Sequence, residues 1–331
     1  MRVAIVILNY NGKKFLEKFL PKVVQNSQGG EIIIADNAST DNSIAFLTSH
    51  YPELRLIQLK TNKGYAGGYN EALQLIDSDW YILMNSDIEP LENWLNNLTH
   101  YIQQNPTIKA AQPYILKESN PKEFEYAGAA GGYIDYLGYP FCRGRIFDVC
   151  EEEKQQYPTT NDLHWATGAC LAIERNTYWE VGGLDEYLFA HQEEIDLCCR
   201  IRKAGYQIAA IENSKVLHVG GGTLQSDNPR KTYLNFRNNL ILIYKNFQGN
   251  NRLFVIFARL ILDGLAGVKF LTSFKFTHIF AIIKAHFGFY GYLLFHSNKQ
   301  IDKKTKVIAF YNHSIIWQFF IRKIKKYTDL P

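Results

Sequence analysis

The sequence predicts an α/β fold, a mainly parallel central sheet flanked by helices, followed by a helical extension rich in basic and aromatic residues. Over the first 115 residues, short apolar runs alternate with amphipathic helical stretches. The runs are almost continuously Ile, Val and Leu, as expected of strands covered on both faces. Thirteen basic residues and only three aspartates then fall after residue 248.

In order, Val3–Leu8, Glu31–Ala35, Leu54–Leu59 and Trp80–Met84 read as strands, and Lys13–Gln25, Asn42–Ser49 and Tyr69–Ile76 as helices. This βαβαβαβ order implies parallel strands. Ligands of such sheets lie beyond the carboxyl ends of the strands. The residues to read for chemistry are therefore Asn9-Tyr10-Asn11-Gly12, Asp36 to Asp41, and Asn85-Ser86-Asp87. From Pro113 to Asp162 the chain is rich in Gly and Tyr without clean periodicity, which suits an irregular lid or an antiparallel excursion.

Asp36 ends a strand, where a carboxylate can accept hydrogen bonds from a base or ribose, whereas Asp41 suits the cap of the next helix. Asn62 to Asn70 forms a Gly-rich entry to a helix, with Gly64 and Gly67 permitting close approach of a phosphate or ribose. Asp87 is placed to bind a divalent cation, since magnesium and manganese take hard oxygen ligands; the same Asn-Ser-Asp could be a plain turn. The densest patch runs from His164 to Thr223. In it Trp165 and Gly168 precede an apolar strand, Gly183 lies in a turn, and Glu193, Glu194 and Asp196 crowd the first turn of a helix. Asp196 can pair with Arg200 one turn on. The helix dipole would help keep Glu193 and Glu194 ionised, as a general base must be. His218, at a strand end before three glycines, could complete a metal site with Asp87.

Five cysteines without CxxC spacing suggest neither a zinc site nor a disulfide framework, and point to a reducing compartment. The start of the chain carries no expected signal peptide. The formal charge of +4 divides into ten net positive charges after residue 248 and six net negative before it. Between Leu253 and Phe295 Phe, Leu and Ile are dense, but charges interrupt every run short of the ~20 residues of a spanning helix. Such helices could lie in a membrane interface, or form a small bundle on the body with solvated lysines. The coincidence of basic excess and aromatics favours the interface of an anionic membrane. Nucleic acid is a poor fit, because the basic residues sit in a Phe-rich tail without a reading motif.

Taken in order, Val6 to Gly12, Asp36 to Asp41, Asn62 to Asn70, Asn85 to Asp87, Gly182 to Asp185, Glu193 to Leu197 and His218 resemble family 2 glycosyltransferases of the GT-A fold, in particular their rhamnosyltransferase-like branch. The resemblance spans about residues 3 to 245. It implies a catalytic domain over 1–225, with a nucleotide-binding half to 115 and an acceptor half beyond, then a helical region over 226–331. It implies a nucleotide diphosphate sugar donor, dTDP- or UDP-linked, a glycan or polyprenyl-linked acceptor, and a divalent cation, Mg or Mn. Asn9, Tyr10, Asp36, Asn62, Gly64, Gly67, Asn70, Asn85 and Ser86 would bind the donor, with Tyr10 against the base. Asp87 and His218 would hold the metal. Trp165, Gly168, Gly183 and Asp196 would face the acceptor. Glu194 would be the base of an inverting displacement, with Glu193 as fallback. Asn85 departs from the Asp-X-Asp element, leaving one charge fewer near the metal. Cell-surface polysaccharide synthesis at the inner face of the cytoplasmic membrane is the implied setting.

Two other readings use the same residues. A sugar nucleotidyltransferase would want a glycine- and arginine-rich loop after the first strand, which Asn9 to Lys14 lacks. A non-catalytic carbohydrate- or lipid-binding relative would have no need of the carboxylates at 87, 193, 194 and 196.

Overall fold

The structure, a computed structural model, describes residues 1–220, 227–247, 251–296 and 310–331. Gly221, Gly222 and Thr223 of the patch read above, and Lys299, Asp302, Lys303, Lys304 and Lys306 of the basic tail, lie outside the described residues.

The first half follows the apolar periodicity closely. Strands β1 (Val3–Asn9), β2 (Glu31–Asp36), β3 (Arg55–Gln58) and β4 (Trp80–Asn85) alternate with helices α1 (Lys13–Asn26), α2 (Ser43–His50) and α3 (Gly64–Leu73). Helix α1 turns Leu16, Phe19, Leu20 and Val23 onto the sheet, the i, i+3, i+4, i+7 stripe of an amphipathic helix. Each such side chain, once buried, contributes roughly 1.5–3 kcal/mol. Helix α3 differs from expectation: it begins at Gly64 rather than Tyr69, so the Gly-rich segment is helical and not a loop.

Beyond β4 come β5 (Ile88–Pro90), α4 (Trp94–Gln104), β6 (Ile108–Lys117) and β7 (Asn120–Phe124). Residues 132–150 make the antiparallel excursion, a four-stranded sheet of β8 (Gly132–Ile134), β9 (Pro140–Cys142), β10 (Arg145–Ile146) and β11 (Val149–Cys150). The chain then returns through β12 (Cys170–Glu174), α5 (Arg175–Glu180), α6 (Glu193–Lys203) and β13 (Gln207–His218).

Among the described residues the central sheet runs β3-β2-β1-β4-β12-β6-β13-β5, with β7 on β6. Strands β3, β2, β1 and β4 are mutually parallel, but β12 enters antiparallel between β4 and β6. The sheet is thus more mixed than a βαβ reading implies. The register explains the site: Asn9 pairs with Asp36, and Leu8 with Asn85, at the carboxyl edge. His218 of β13 pairs antiparallel with Ile88, which sets it beside Asp87.

Helices α7 (Pro229–Asn246), α8 (Asn251–Thr272) and α9 (Phe276–Phe295) follow. Leu240 to Ile243 of α7 are fully buried in the main core, so a division at residue 225 does not separate packing units. The final segment returns to the excursion. The Ile315 N–H donates to Asp135 Oδ2 (2.9 Å), the Tyr327 N–H donates to Glu151 Oε1 (2.9 Å), and the Tyr327 ring stacks on Tyr133. By length and composition α9 would suffice to cross a membrane, its single lysine notwithstanding.

Candidate active site

The site opens at the carboxyl edge of β1, β2 and β4. Asn9 is fully buried; its Nδ2 donates to Asp36 Oδ2 (2.9 Å) and Ser39 Oγ (3.1 Å). Asp36 Oδ1 accepts the Ser39 N–H (2.8 Å), so this carboxylate first ties the ends of β1 and β2 together. Asn9 Oδ1 is buried with no partner among the described residues. A Cβ on Gly12 would lie 2.5 Å from that oxygen and 3.4 Å from Ser86 Oγ, so Gly12 keeps a gap open between Asn9 and Ser86. Tyr10 stands above this edge, 45% exposed, as a ring that stacks on a base would. As expected, Asp41 bonds to the start of a helix, accepting the Ser43 N–H (3.0 Å).

Asp87 and His218 come together as expected. Asp87 Oδ1 lies 3.2 Å from His218 Nε2, both side chains buried. The other ring nitrogen, Nδ1, faces Glu125 Oε2 at 3.0 Å. Burial alone would lower the imidazole pKa, but the bonds to the two carboxylates outweigh it and push it up to about 10. Among the described residues no group of three or more metal-ligating side chains is gathered. Asp87 Oδ1 and His218 Nε2 would nevertheless suit a divalent cation that displaced the Nε2 proton. A carboxylate on the far ring nitrogen is the usual brace of a metal-bound histidine. Glu125 was invisible in the sequence, because it lies in the aperiodic stretch 93 residues from its partner.

Helix α6 begins after a strained turn. Phe189, His191 and Gln192 all have positive φ (65°, 69° and 70°), a costly conformation for such side chains that gathers at functional sites. Polar groups of α7 hold the turn. Asn238 Nδ2 lies within 3.0 Å of the carbonyls of Leu188, Ala190 and His191, and Arg237 donates to those of Tyr187 and Leu188. This delivers Glu193 and Glu194 with their Oε2 atoms buried and unpartnered, as is His191 Nε2. Burial pushes the Glu194 carboxyl up to about 7, against the lowering effect of backbone N–H groups at the helix start. Glu193 is raised well above the usual carboxylate range, by burial and then by the Glu194 charge. Desolvation therefore outweighs the helix dipole, which does not keep both carboxyls fully ionised. A Cβ on Gly168 would lie 2.9 Å from Tyr65 Oη and 3.5 Å from Glu194 Cβ, which places Gly168 at the site. The Asn85 N–H donates to the Ala169 carbonyl (2.9 Å), joining this corner to the end of β4.

Other expected ligands are structural. The first N–H groups of α3 are occupied: Gly64 N–H by Asn62 Oδ1 (2.8 Å), and those of Tyr65 and Ala66 by the Phe189 carbonyl (2.9 and 3.3 Å). A Cβ on Gly64 would strike Phe189, and one on Gly67 would strike Lys63, so these glycines serve close packing and not an open phosphate cradle. Asn70 clamps the following turn. It accepts from Tyr178 Oη and the Leu184 N–H, and donates to the Leu184 carbonyl and Glu186. Gly183, at φ 66°, lies against Asn70 and Tyr178 in that turn. Trp165 is buried flat on Gly132, its indole N–H bonded to the Tyr133 carbonyl. Asp196 is fully buried between Arg200 (2.9 Å), Lys245 (2.8 Å) and Asn246, out of reach of an acceptor.

A mixed sheet with paired asparagine and aspartate at its carboxyl edge, an Asp–His pair, and unpartnered buried carboxylates beside them defines a nucleotide-sugar transferase class of site. The chain belongs to glycosyl transferase family 2, whose model matches residues 4–182, and it is a glycosyltransferase. It is 26% identical over 233 residues to the N-acetylglucosaminyl-diphospho-decaprenol L-rhamnosyltransferase of Mycobacterium tuberculosis (strain CDC 1551 / Oshkosh), covering 65% of this chain and 75% of that one. It is 22% identical to the low-salt glycan biosynthesis hexosyltransferase Agl10 of Haloferax volcanii, covering 72% and 74%. The rhamnosyltransferase WbbL of Escherichia coli (strain K12) is 19% identical, over 65% and 83%. The fold is shared with the mannosyltransferase PcManGT from Pyrobaculum calidifontis, solved with GDP-Man and Mn2+ (TM-score 0.53, 14% identity, 90% of this chain and 88% of that one). It is shared also with GalNAc-T7, solved with UDP, GalNAc and Mn2+ (TM-score 0.57, 17% identity, 74% of this chain), of whose chain it spans only 48%.

Proposed function

We propose that this glycosyltransferase carries a sugar from a dTDP- or UDP-linked donor to a hydroxyl of a glycan or polyprenyl-linked acceptor, with inversion by direct displacement. The carrying observation is Glu194, whose Oε2 is buried without a partner behind a strained turn, with its pKa pushed up to about 7. A carboxylate of that strength accepts a proton from an attacking hydroxyl near neutral pH. Tyr10 would meet the base, with Asn9, Asp36, Asn85 and Ser86 lining the nucleotide side. Asp87 and His218 would hold Mg or Mn, with Glu125 fixing the imidazole. When bound, the cation would offset the charge of the leaving diphosphate. The decaprenol in the name of the mycobacterial relative supports a lipid-linked acceptor. The basic, apolar C-terminal helices support a place on the cytoplasmic face of an anionic membrane.

A binding screen of nucleotide sugars with and without manganese tests the proposal. One donor should bind tightly only with the cation, and Asp87→Ala should weaken that binding at least about tenfold. Equal affinity in the wild type and Asp87→Ala would remove Asp87 from the metal site.

A further inference from the structure

We infer that α8 and α9 form a plate that lies flat in the interface of an anionic bilayer without crossing it, a mode of docking that rests on the reading of this chain as an enzyme that meets a membrane-borne acceptor. The plate's polarity is reversed relative to a helix pair in water. On α8, Phe254, Phe257, Ile261, Leu265 and Val268 recur at helical spacing and are exposed, Phe257 by 62%. On α9, Phe276, Phe280, Ile283, Phe287 and Leu294 do the same, Phe280 by 71%. Two charged groups near the middle of α8 point the other way. Arg259 and Asp263 are buried; Arg259 lies over the Tyr139 ring at 3.5 Å and donates to the Leu137 carbonyl, and Asp263 meets His286 of α9 at 3.1 Å. Ten large apolar side chains exposed on one helix pair mark a contact surface and not the scattered exposure of an ordinary monomer.

Charge identifies the partner. Lys269 and Lys284 are exposed on the same two helices, Lys275 is exposed in the turn between them and paired with Asp227, and Arg322, Lys323, Lys325 and Lys326 are exposed in the final segment, which also exposes Trp317 and Ile321. Apolar anchors together with exposed lysines suit an anionic lipid surface. Attachment to the body argues for a plate in the plane. The inward face of α9 (Ala281, Ile282, Ala285, Phe289 and Tyr292) is buried, and Thr232 of α7 meets His278 of α9 at 2.8 Å. Crossing the bilayer would strip α9 from α7 and Asp263 from His286.

Three measurements on the full chain decide. Sedimentation with phosphatidylcholine vesicles should be weak, rise when phosphatidylglycerol is included, and fall about tenfold or more in Phe257→Ser/Phe280→Ser/Phe287→Ser. That variant should still bind nucleotide sugar, which shows that it is folded. Ser273→Cys, between the helices, and His296→Cys, after α9, should both react with a membrane-impermeant maleimide on sealed vesicles. Protection of either until detergent is added would show crossing and overturn the proposal. A lipid-independent dimer that the triple variant breaks, with vesicle binding unchanged, would overturn it too, since a second copy would then cover the face. Vesicle binding by a wild-type chain that transfers no sugar would leave the plate standing and sink the enzymatic reading.

Discussion

At the scale of residues, the chemistry turns on which carboxyl carries charge. Burial brings the Glu194 carboxyl up to about 7, as a general base near neutral pH requires, so Glu194→Gln should lower transfer by about 10²–10⁴-fold while leaving donor affinity unchanged. The same carboxyl sets a pH limb. Because the base must be deprotonated, kcat should fall about tenfold per pH unit below about 7 and level off above it. A profile flat down to pH 5 would move the base elsewhere. Glu125 acts through His218 and touches no substrate in this reading. Glu125→Gln should weaken manganese affinity roughly 10–100-fold, as measured by calorimetry, and shift kcat less than KM for the manganese-loaded donor. Tyr10, Asp36, Asp87, Glu194 and His218 stand out as candidates in the sequence because each ends or follows a strand or opens a helix, where residue type carries meaning. Glu125 does not, since its meaning comes from a histidine on another strand.

Elements show where local pattern ends. Strands β1 to β4 could be read from their apolarity, because helices cover both faces of that half-sheet. The start of α3 could not, because its N–H groups are claimed by a carbonyl more than a hundred residues away, at Phe189. Nor could the antiparallel entry of β12, since an apolar run does not state its direction. Asp196 was read correctly as a partner of Arg200 one turn on, but Lys245 of α7 was out of view. Burial alone would raise the Asp196 pKa; Lys245 and Arg200 outweigh it and hold the carboxyl well below its usual range. A depressed carboxyl contributes stability above its unfolded value of about 3.9, and that contribution is lost as pH falls toward the folded value. Asp196→Asn should therefore cost about 3 kcal/mol in urea denaturation at pH 7, and the gap from wild type should narrow below about pH 4.

Over the whole molecule, distant parts of the chain are fastened to one another. The final segment is fixed to the excursion through Ile315, held by Asp135, and through Tyr327, held by Glu151 and stacked on Tyr133. Tyr327→Ala should leave manganese-dependent donor binding intact but open residues 310–331 to limited proteolysis at least about tenfold faster than in the wild type. An unchanged cleavage rate would mean that the remaining contacts suffice. The turn before Glu193 is secured the same way, by Asn238 and Arg237 of α7. The segment matched by the family model ends at residue 182, short of both the carboxylates and the helix that aims them. Recombining relatives at that boundary would graft a nucleotide pocket onto a foreign base and a foreign clamp. Breeding new sugar specificities from this chain therefore requires a seam placed after residue 246, so that pocket, base and clamp are inherited together.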